Sequence, residues 1–541
     1  MRRFWATTFL LVLALTILWT LATPLFAAPD EPAHVLKAVA AARGELSGPQ
    51  VPGLPRAVME VTVPAGYGLA GEIPACFDTS RAEPAGCAKG LVYEPGLVET
   101  ATYVGHYPAL YYLLVGWPSR LISSPAKAVF AMRAVSDVLS SAFLSLALAL
   151  GLVDRRKFRL PVLGLLIALT PQALFLASVV NPAGLGISAA LCLWTGGLAL
   201  VRSRDDAIGT NMIMGTAADS VSTGPDMGPR NQDDVSLNVL LLIVVVSVLV
   251  EAFAVALGPL WVALTWTVLL ALAGTPGRRE LLRKRSVRLT ATVLFVGLGA
   301  ATTLVWVNGS LAVLGSSRTV QAGTSFLTVL ARSLSYFPDY VAQAVGAMGW
   351  LETRPPLVTY FIWAALVVII AAVGLKFASR QMKLVLLAFG GTAVLAPTLI
   401  SASQAVRLGS IVWEGKDGLP LWVGLPLVAA SASAVWWSGH PQTSRVLVGA
   451  AGVAQFAAFL GALHRYTVGS HGSWSMLGTV PDGWSPPLPP LVLVGLYGLA
   501  LVLGWSLLLY RPERIQQLDV SRSPLQTKRP DKEGGIRPKK A

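Results

Sequence analysis

Charge is what this sequence has least of. Only 13% of its 541 residues are Asp, Glu, Lys or Arg, against 54% hydrophobic, too little polar surface to dissolve a chain of this length in water. Histidine occurs five times and cysteine three, which excludes a disulfide-dense scaffold and a His- or Cys-rich metal module. Acids are outnumbered, 28 to 42 basic residues, for a net charge of +14. Such an excess can signal nucleic acid. Here, however, the basic residues stand in short clusters between apolar runs, as in Arg155-Arg156-Lys157, Arg278-Arg279, Arg283-Lys284-Arg285 and the tail Arg537 to Lys540. That is the positive-inside pattern of a multi-pass membrane protein; its partner is an anionic lipid leaflet, not nucleic acid.

Apolar runs recur from end to end. The first, Phe4 to Phe26, follows Arg2-Arg3 and is long enough to span a bilayer. It reads as an uncleaved helix rather than a signal peptide cut after Ala27 or Ala28, because it exceeds a signal core. A polar stretch rich in Pro, Gly and acids follows, from Pro29 to about Tyr103. The next apolar run is Ala131 to Val153. If Tyr107 to Leu121 also spanned, Arg155-Arg156-Lys157 would lie outside; reading that aromatic segment as an interfacial or re-entrant helix keeps every later basic cluster inside. Further spans are expected at 160–180, 183–201, 237–257, 259–274, 289–311, 357–374, 384–400, 419–437, 446–463 and 490–510. The fold expected is thus an all-α polytopic membrane protein of about 12 spans, in the plasma membrane with both termini cytoplasmic. Its segments are an N-terminal bundle (1–201) carrying a large outer loop (29–105), a disordered cytoplasmic linker (202–236), a C-terminal bundle (237–510) and a basic cytoplasmic tail (511–541).

The residues with chemistry cluster after the first run, in Pro29-Asp30-Glu31-Pro32-Ala33-His34. The continuation to Arg43 reads as a short amphipathic helix with Pro32 in its first turn and Gly44 at its C-terminal cap. Its stripe of Val35, Leu36 and Val39 predicts that it lies on the membrane surface. Asp30 and His34 are four apart, so they share a face if Asp30 is already helical. Two carboxylates and an imidazole there can deprotonate a hydroxyl or hold a divalent metal, although so few ligands specify none; the plainer alternative is that Asp30 or Glu31 caps the helix. In the outer loop, Cys76 and Cys87 predict a disulfide if the compartment is oxidising, with two free thiols as the alternative. Cys192 sits in an apolar run as a small core residue. Arg133 and Asp137, also four apart, are expected to pair. Glu251 stands inside an apolar run, where an acid is costly and is expected to face the bundle interior or a cavity.

The run PDEPAH directly after a first membrane helix resembles the signature of a bacterial polytopic family, domain of unknown function 2142 (DUF2142). Gly105-His106-Tyr107-Pro108-Ala109-Leu110-Tyr111-Tyr112 is similar to its aromatic box, and Ser178 to Pro182, Gly349 to Pro356, Trp413 to Pro420 and Arg465 to Gly469 also fit it. That family in turn resembles the GT-C class of membrane glycosyltransferases, which use polyprenyl-phosphate sugars. The resemblance implies Asp30 as general base, with Glu31 as the alternative, and a glycan or lipid acceptor on the outer face. His34, Tyr107, Arg354, Arg407, Lys416 and Arg465 are then expected to bind substrate, with Arg332 a further outer cation. Two departures stand out: Lys416-Asp417 replaces an expected Arg-Tyr, and Ala183 replaces an expected acid after Asn181-Pro182. They favour a non-catalytic envelope-assembly partner as one alternative. About 12 spans together with Glu251 favour a lipid or solute transporter as another.

Overall fold

The computed structural model describes residues 2–54, 58–78, 80–153, 161–202, 237–273, 287, 291–292, 294–299, 302, 318–475 and 484–520. The expected linker, most of the expected span at 289–311, and the tail beyond Val520 lie outside the described residues.

The architecture is nearly all-α. The helices are α1 (Arg2–Ala22), α2 (Glu31–Ala42), α3 (Ala109–Gly116), α4 (Pro118–Leu121), α5 (Pro125–Val153), α6 (Pro161–Ala168), α7 (Pro171–Ala177), α8 (Pro182–Arg202), α9 (Leu237–Ala254) and α10 (Gly258–Leu272). They continue as α11 (Phe326–Ser335), α12 (Phe337–Gly346), α13 (Leu357–Phe377), α14 (Arg380–Leu408), α15 (Gly415–Trp422), α16 (Gly424–Ala432), α17 (Ala434–Gly439), α18 (Pro441–Val468) and α19 (Pro490–Val520). The last runs past Tyr510, where the tail is expected to begin.

Among the described residues, eight helices are long and apolar enough to cross a membrane: α1, α5, α8, α9, α13, α14, α18 and α19. The apolar runs alone lead to about 12; of the other four, the run at 289–311 lies mostly outside the described residues, and the remaining three are shorter or interrupted helices. The run at 160–180 divides into α6 and α7 at Thr170-Pro171. There Thr170 Oγ1 accepts from Ala173 N (3.2 Å) and donates to Ala344 O (2.7 Å), capping a new helix whose proline cannot continue the old one. The run at 419–437 divides into α15, α16 and α17. At the first break the Trp194 indole occupies the space a Cβ on Gly424 would need, 2.2 Å away, and its Nε1 donates to Pro420 O (3.1 Å). The run at 259–274 is the 15-residue α10, about 23 Å long and short of a roughly 30 Å hydrocarbon core.

Helices from both ends of the chain share one hydrophobic core. Trp19 of α1 packs edge-on against Phe459 of α18 (5.1 Å) and donates from Nε1 to Tyr497 Oη of α19 (3.1 Å). A second, smaller core lies under the segment after α1. Here the all-α expectation needs correction. Strands β1 (Met59–Pro64) and β2 (Leu97–Thr102) pair antiparallel, Met59 opposite Thr102, and β1 alternates buried and half-buried residues, the period-2 pattern of a one-sided sheet. α2 also differs from expectation. It is buried from Glu31 through Ala41, so it is an internal helix of this cap and does not lie on a lipid surface. Its contact with α3 is close enough that a Cβ on Gly116 would fall 2.0 Å from Ala38 O. The segment 107–121 forms α3 and α4, with Tyr111 and Tyr112 inward and Leu110, Leu113, Leu114, Trp117 and Leu121 exposed.

Candidate functional site

The chain leaves α1 through a turn that aims Asp30. Phe26 and Asp30 both take left-handed backbone, with φ of 64° and 63°, a conformation that costs a non-glycine residue free energy and persists only when its surroundings impose it. The surroundings are explicit. Trp350 Nε1 donates to Phe26 O (3.2 Å) and Asn181 Nδ2 to Pro29 O (3.2 Å). Glu31 is fully buried and holds the turn: its carboxylate accepts from Phe26 N (3.0 Å), Val180 N (3.1 Å), Arg133 Nε (2.7 Å) and Arg133 Nη2 (2.5 Å). Arg133 also donates to the carbonyls of Thr20, Thr23 and Pro24. The expected Arg133–Asp137 pair is therefore not formed; Asp137 accepts from Thr20 Oγ1 instead (2.9 Å). Leu351 is the remaining non-glycine residue with positive φ among those described, at 72°, and it lines the same cavity as Asp30.

That cavity has a volume of about 480 Å³, within the roughly 300–1,000 Å³ of small-molecule sites. Asp30, His34, Tyr103, Tyr107, Arg318 and Lys416 contribute its polar wall. Asp30 precedes α2 but makes no side-chain cap bond to it; its carboxylate turns into the cavity. Tyr103 Oη donates to Oδ1 (2.8 Å) and Lys416 Nζ to Oδ2 (2.5 Å). Lys416 also meets Glu414 Oε2 at 2.8 Å. It stands in the first turn of α15, where Asp417 Oδ2 accepts from Glu414 N (3.0 Å). The acid that departs from the family pattern is thus occupied in its own helix start.

The electrostatics follow from this crowding. Burial alone would raise the Asp30 carboxyl. The charge of Lys416, aided by His34 and the hydrogen bonds from Lys416 and Tyr103, outweighs it and brings Asp30 down to about 2. Burial works against the Lys416 ammonium, but Asp30, Glu414 and Asp417 overcome it and keep Lys416 charged well above its ordinary range. Burial, with Glu414 nearby, pushes Asp417 up to about 7 despite Lys416. Burial lowers His34 to about 3, against the pull of Asp30, so its imidazole is neutral. Its Nδ1 lies 2.9 Å from Tyr112 Oη, and its ring stacks on Tyr112 and tilts toward Tyr107.

The structure brings together Asp30, His34, Tyr107 and Lys416, and places other sequence-predicted residues elsewhere. Glu31 is spent on Arg133 and is not part of this cavity's lining. Arg465 is buried and donates to the carbonyls of Phe77 (2.7 Å), Ser80 (2.9 Å) and Glu83 (2.6 Å), so it clasps the ring closed by the Cys76–Cys87 disulfide. Arg354 binds Asp339 Oδ1 at 2.8 Å. Arg407 is exposed at the end of α14 and outside the cavity lining, and Arg332 donates to Thr319 O. Glu251 is fully buried within α9, and among the described residues neither of its oxygens has a hydrogen-bond partner. Among those residues, too, no three His, Cys, Asp or Glu side chains converge as a metal site. Sequence reasoning missed Tyr103 and Arg318. Both lie far from PDEPAH in the chain, and only the β1–β2 pairing and the Thr319–Ser410 bridge deliver them.

Helix content, apolar span lengths and a polar, strained cavity at one end of the bundle define a polytopic, nearly all-α membrane protein. The chain belongs to the family of predicted membrane proteins DUF2142, whose family model matches residues 13–218 and 230–415. Asp30, Glu31, His34, Tyr103 and Arg318 fall inside the matched stretches, and Lys416 falls one residue beyond. No curated protein and no solved structure matches the chain.

Proposed function

We propose that this protein is a membrane glycosyltransferase that moves a sugar from a polyprenyl-phosphate donor to a glycan or lipid acceptor, with Asp30 as general base. The observation that carries the reading is the contrast between two adjacent acids. Glu31 is buried and saturated, whereas Asp30 is held in left-handed backbone, caps nothing, and presents its carboxylate to a cavity beside a lysine. The reading takes this end of the bundle as the extracytoplasmic face of the plasma membrane, with both termini inside; the spacing of the basic clusters supports it.

In this reaction the acceptor oxygen attacks the anomeric carbon and forms the new glycosidic bond. The bond from that carbon to the phosphate oxygen breaks, and its electron pair leaves with the lipid phosphate. The hydroxyl proton passes to Asp30 and then to solvent. A carboxylate as weakly basic as Asp30 suffices, because the hydroxyl becomes strongly acidic as its oxygen bonds to carbon. Lys416 and Tyr103 fix the carboxylate's orientation, and the neutral His34 offers a hydrogen bond to a sugar or acceptor hydroxyl.

The test is transfer of label from a polyprenyl-phosphate sugar by the purified protein in lipid vesicles. Asp30→Asn keeps the left-handed backbone, which Asn tolerates, and is expected to lower transfer by about 10²- to 10⁴-fold. Transfer by the variant within about threefold of the wild type removes Asp30 from the mechanism. Glu251, buried without a hydrogen-bond partner among the described residues, favours a transporter as the second reading; that reading requires substrate flux across vesicles that Glu251→Gln abolishes.

A further inference from the structure

Beside the polar cavity the bundle carries a second recess, of about 520 Å³, between the α3–α4 segment and α5. Trp117, Leu121 and Ile122 form one wall, and Ala131, Ala134 and Val138 of α5 line the other. Every lining residue is apolar, and none of them lines the Asp30 cavity. Residue size explains the concavity: the alanines leave room that Trp117 and Leu121, 50% and 74% exposed, do not fill. The inward side of α3 serves the cavity instead. Tyr112 Oη lies 2.9 Å from Nδ1 of His34, and Tyr111 Oη lies 2.7 Å from Ser136 Oγ of α5. Depth and charge together point to what fills the groove. The membrane-spanning part of α5 runs from Pro125 to Gly151, so Val138 marks its midpoint. From Lys127 to Val138 the helix rises about 17 Å, close to half of a roughly 30 Å hydrocarbon core. The groove therefore stops in mid-bilayer, as a chain from one leaflet does and as a spanning partner helix does not. Lys127, Ala131, Ala134 and Val138 are spaced four, three and four apart, which puts them on one face of α5. The exposed Lys127 thus stands one helical turn above the lining, at the end where the span begins. Arg120, also exposed, lies across the short turn 122–124 and donates to Ala42 O (3.2 Å). Among the described residues neither side chain is in an ion pair with an acid.

We propose that this groove holds one acyl chain of an anionic phospholipid of the bilayer, with the lipid phosphate at Lys127 and Arg120 in support. An apolar recess on a lipid-facing helix is filled by hydrocarbon, because a gap there forfeits dispersion contacts on both sides. The rigid indole of Trp117 and the fixed backbone of α5 shape it for one chain rather than for a fluid layer. Charge then selects the headgroup. A zwitterionic lipid fits the same groove, but its own cation offsets the attraction of Lys127 for its phosphate, whereas an anionic lipid gains the full interaction. The lipid proposed here is a resident component of the leaflet beside the cavity, not the reacting substrate, so the inference goes beyond the transferase reading and does not depend on it.

The experiment gives the purified full-length protein in detergent either phosphatidylglycerol or phosphatidylcholine with identical chains, and counts bound lipid by native mass spectrometry. The wild type is expected to retain one phosphatidylglycerol under conditions that strip phosphatidylcholine. Lys127→Gln removes the charge and is expected to cut the preference for phosphatidylglycerol about fivefold. Ala134→Trp fills the groove from an exposed position and is expected to abolish retention of both lipids. Lys127 makes no hydrogen bond that holds the fold, so its variant carries the test if the tryptophan variant does not fold. Equal retention of the two lipids by the wild type is the behaviour of unselective boundary lipid and overturns the proposal. Retention indifferent to both substitutions overturns it as well. A dimer that Ala134→Trp dissociates also overturns it, because a second copy then occupies the groove. No arm of the experiment reads sugar transfer: a protein that transfers nothing but keeps its phosphatidylglycerol leaves this site standing, and loss of the site leaves the role of Asp30 to its own test.

Discussion

Glu31→Gln is the perturbation that most directly probes the division of labour in PDEPAH. The change preserves shape and removes one charge. Glu31 and Arg133 have fully buried side chains and meet through two bonds, at 2.7 and 2.5 Å. Breaking such a pair from one side leaves an uncompensated buried guanidinium, at a cost of about 3–5 kcal/mol. A glutamine also turns one acceptor oxygen into an NH₂, so a donor then faces Arg133 and Val180 N, or Arg133 and Phe26 N, where a donor already stands. The expected fall in the thermal midpoint is roughly 3–4 °C, read by unfolding in detergent. Asp30→Asn is the matched control. The Asp30 side chain is 28% exposed and Lys416 keeps Glu414, so its stability cost is about 1 kcal/mol while its effect on transfer is large. Combining Glu31→Gln with Arg133→Met removes both charges and is expected to recover part of the loss; recovery stays partial because Thr20, Thr23 and Pro24 lose a donor. A Glu31→Gln protein that melts with the wild type, beside an Asp30→Asn protein that does not, refutes the assignment of structure to one acid and chemistry to the other.

His34 titrates near 3 when folded and 6.5 ordinarily, so the stability it contributes is complete above pH 6.5 and drains away as pH falls toward 3. His34→Gln is expected to flatten stability against pH in that window, and an unchanged slope argues against a buried neutral imidazole. Asp417 has the opposite sign: its folded value of about 7 exceeds the ordinary 3.8, so its contribution is present below 3.8 and lost as pH rises through 7. Asp417→Asn is expected to raise stability at pH 8 relative to wild type. Replacing Cys76 and Cys87 by Ser opens a short ring and costs about 3 kcal/mol through the unfolded chain, yet Arg465 still holds three of its carbonyls. Protease cleavage between 77 and 86 is therefore expected to appear only when Arg465→Leu is added, and cleavage in the Cys variant alone shows that the clasp is not sufficient.

Composition and apolar run length determined the class of this protein, because a chain with so few charges has lipid as its solvent. Local sequence also announced Asp30 and His34: Pro32 starts a helix, and a four-residue spacing brings both to one side of its first turn. Where sequence reasoning erred, the deciding partner lay far away in the chain. Thr170-Pro171 and Gly424 interrupt apolar runs that look continuous, since a cap bond to Ala344 and the indole of Trp194 come from other helices. α2 has an amphipathic pattern suited to a membrane surface, but α3 and the β1–β2 sheet cover the face that periodicity leaves open. No spacing rule tells Asp30 from Glu31; Arg133, 102 residues on, and Lys416, 386 residues on, make that choice. Residue type and spacing set what each side chain can do, and only packing across the bundle sets which acid meets a buried arginine and which faces a cavity.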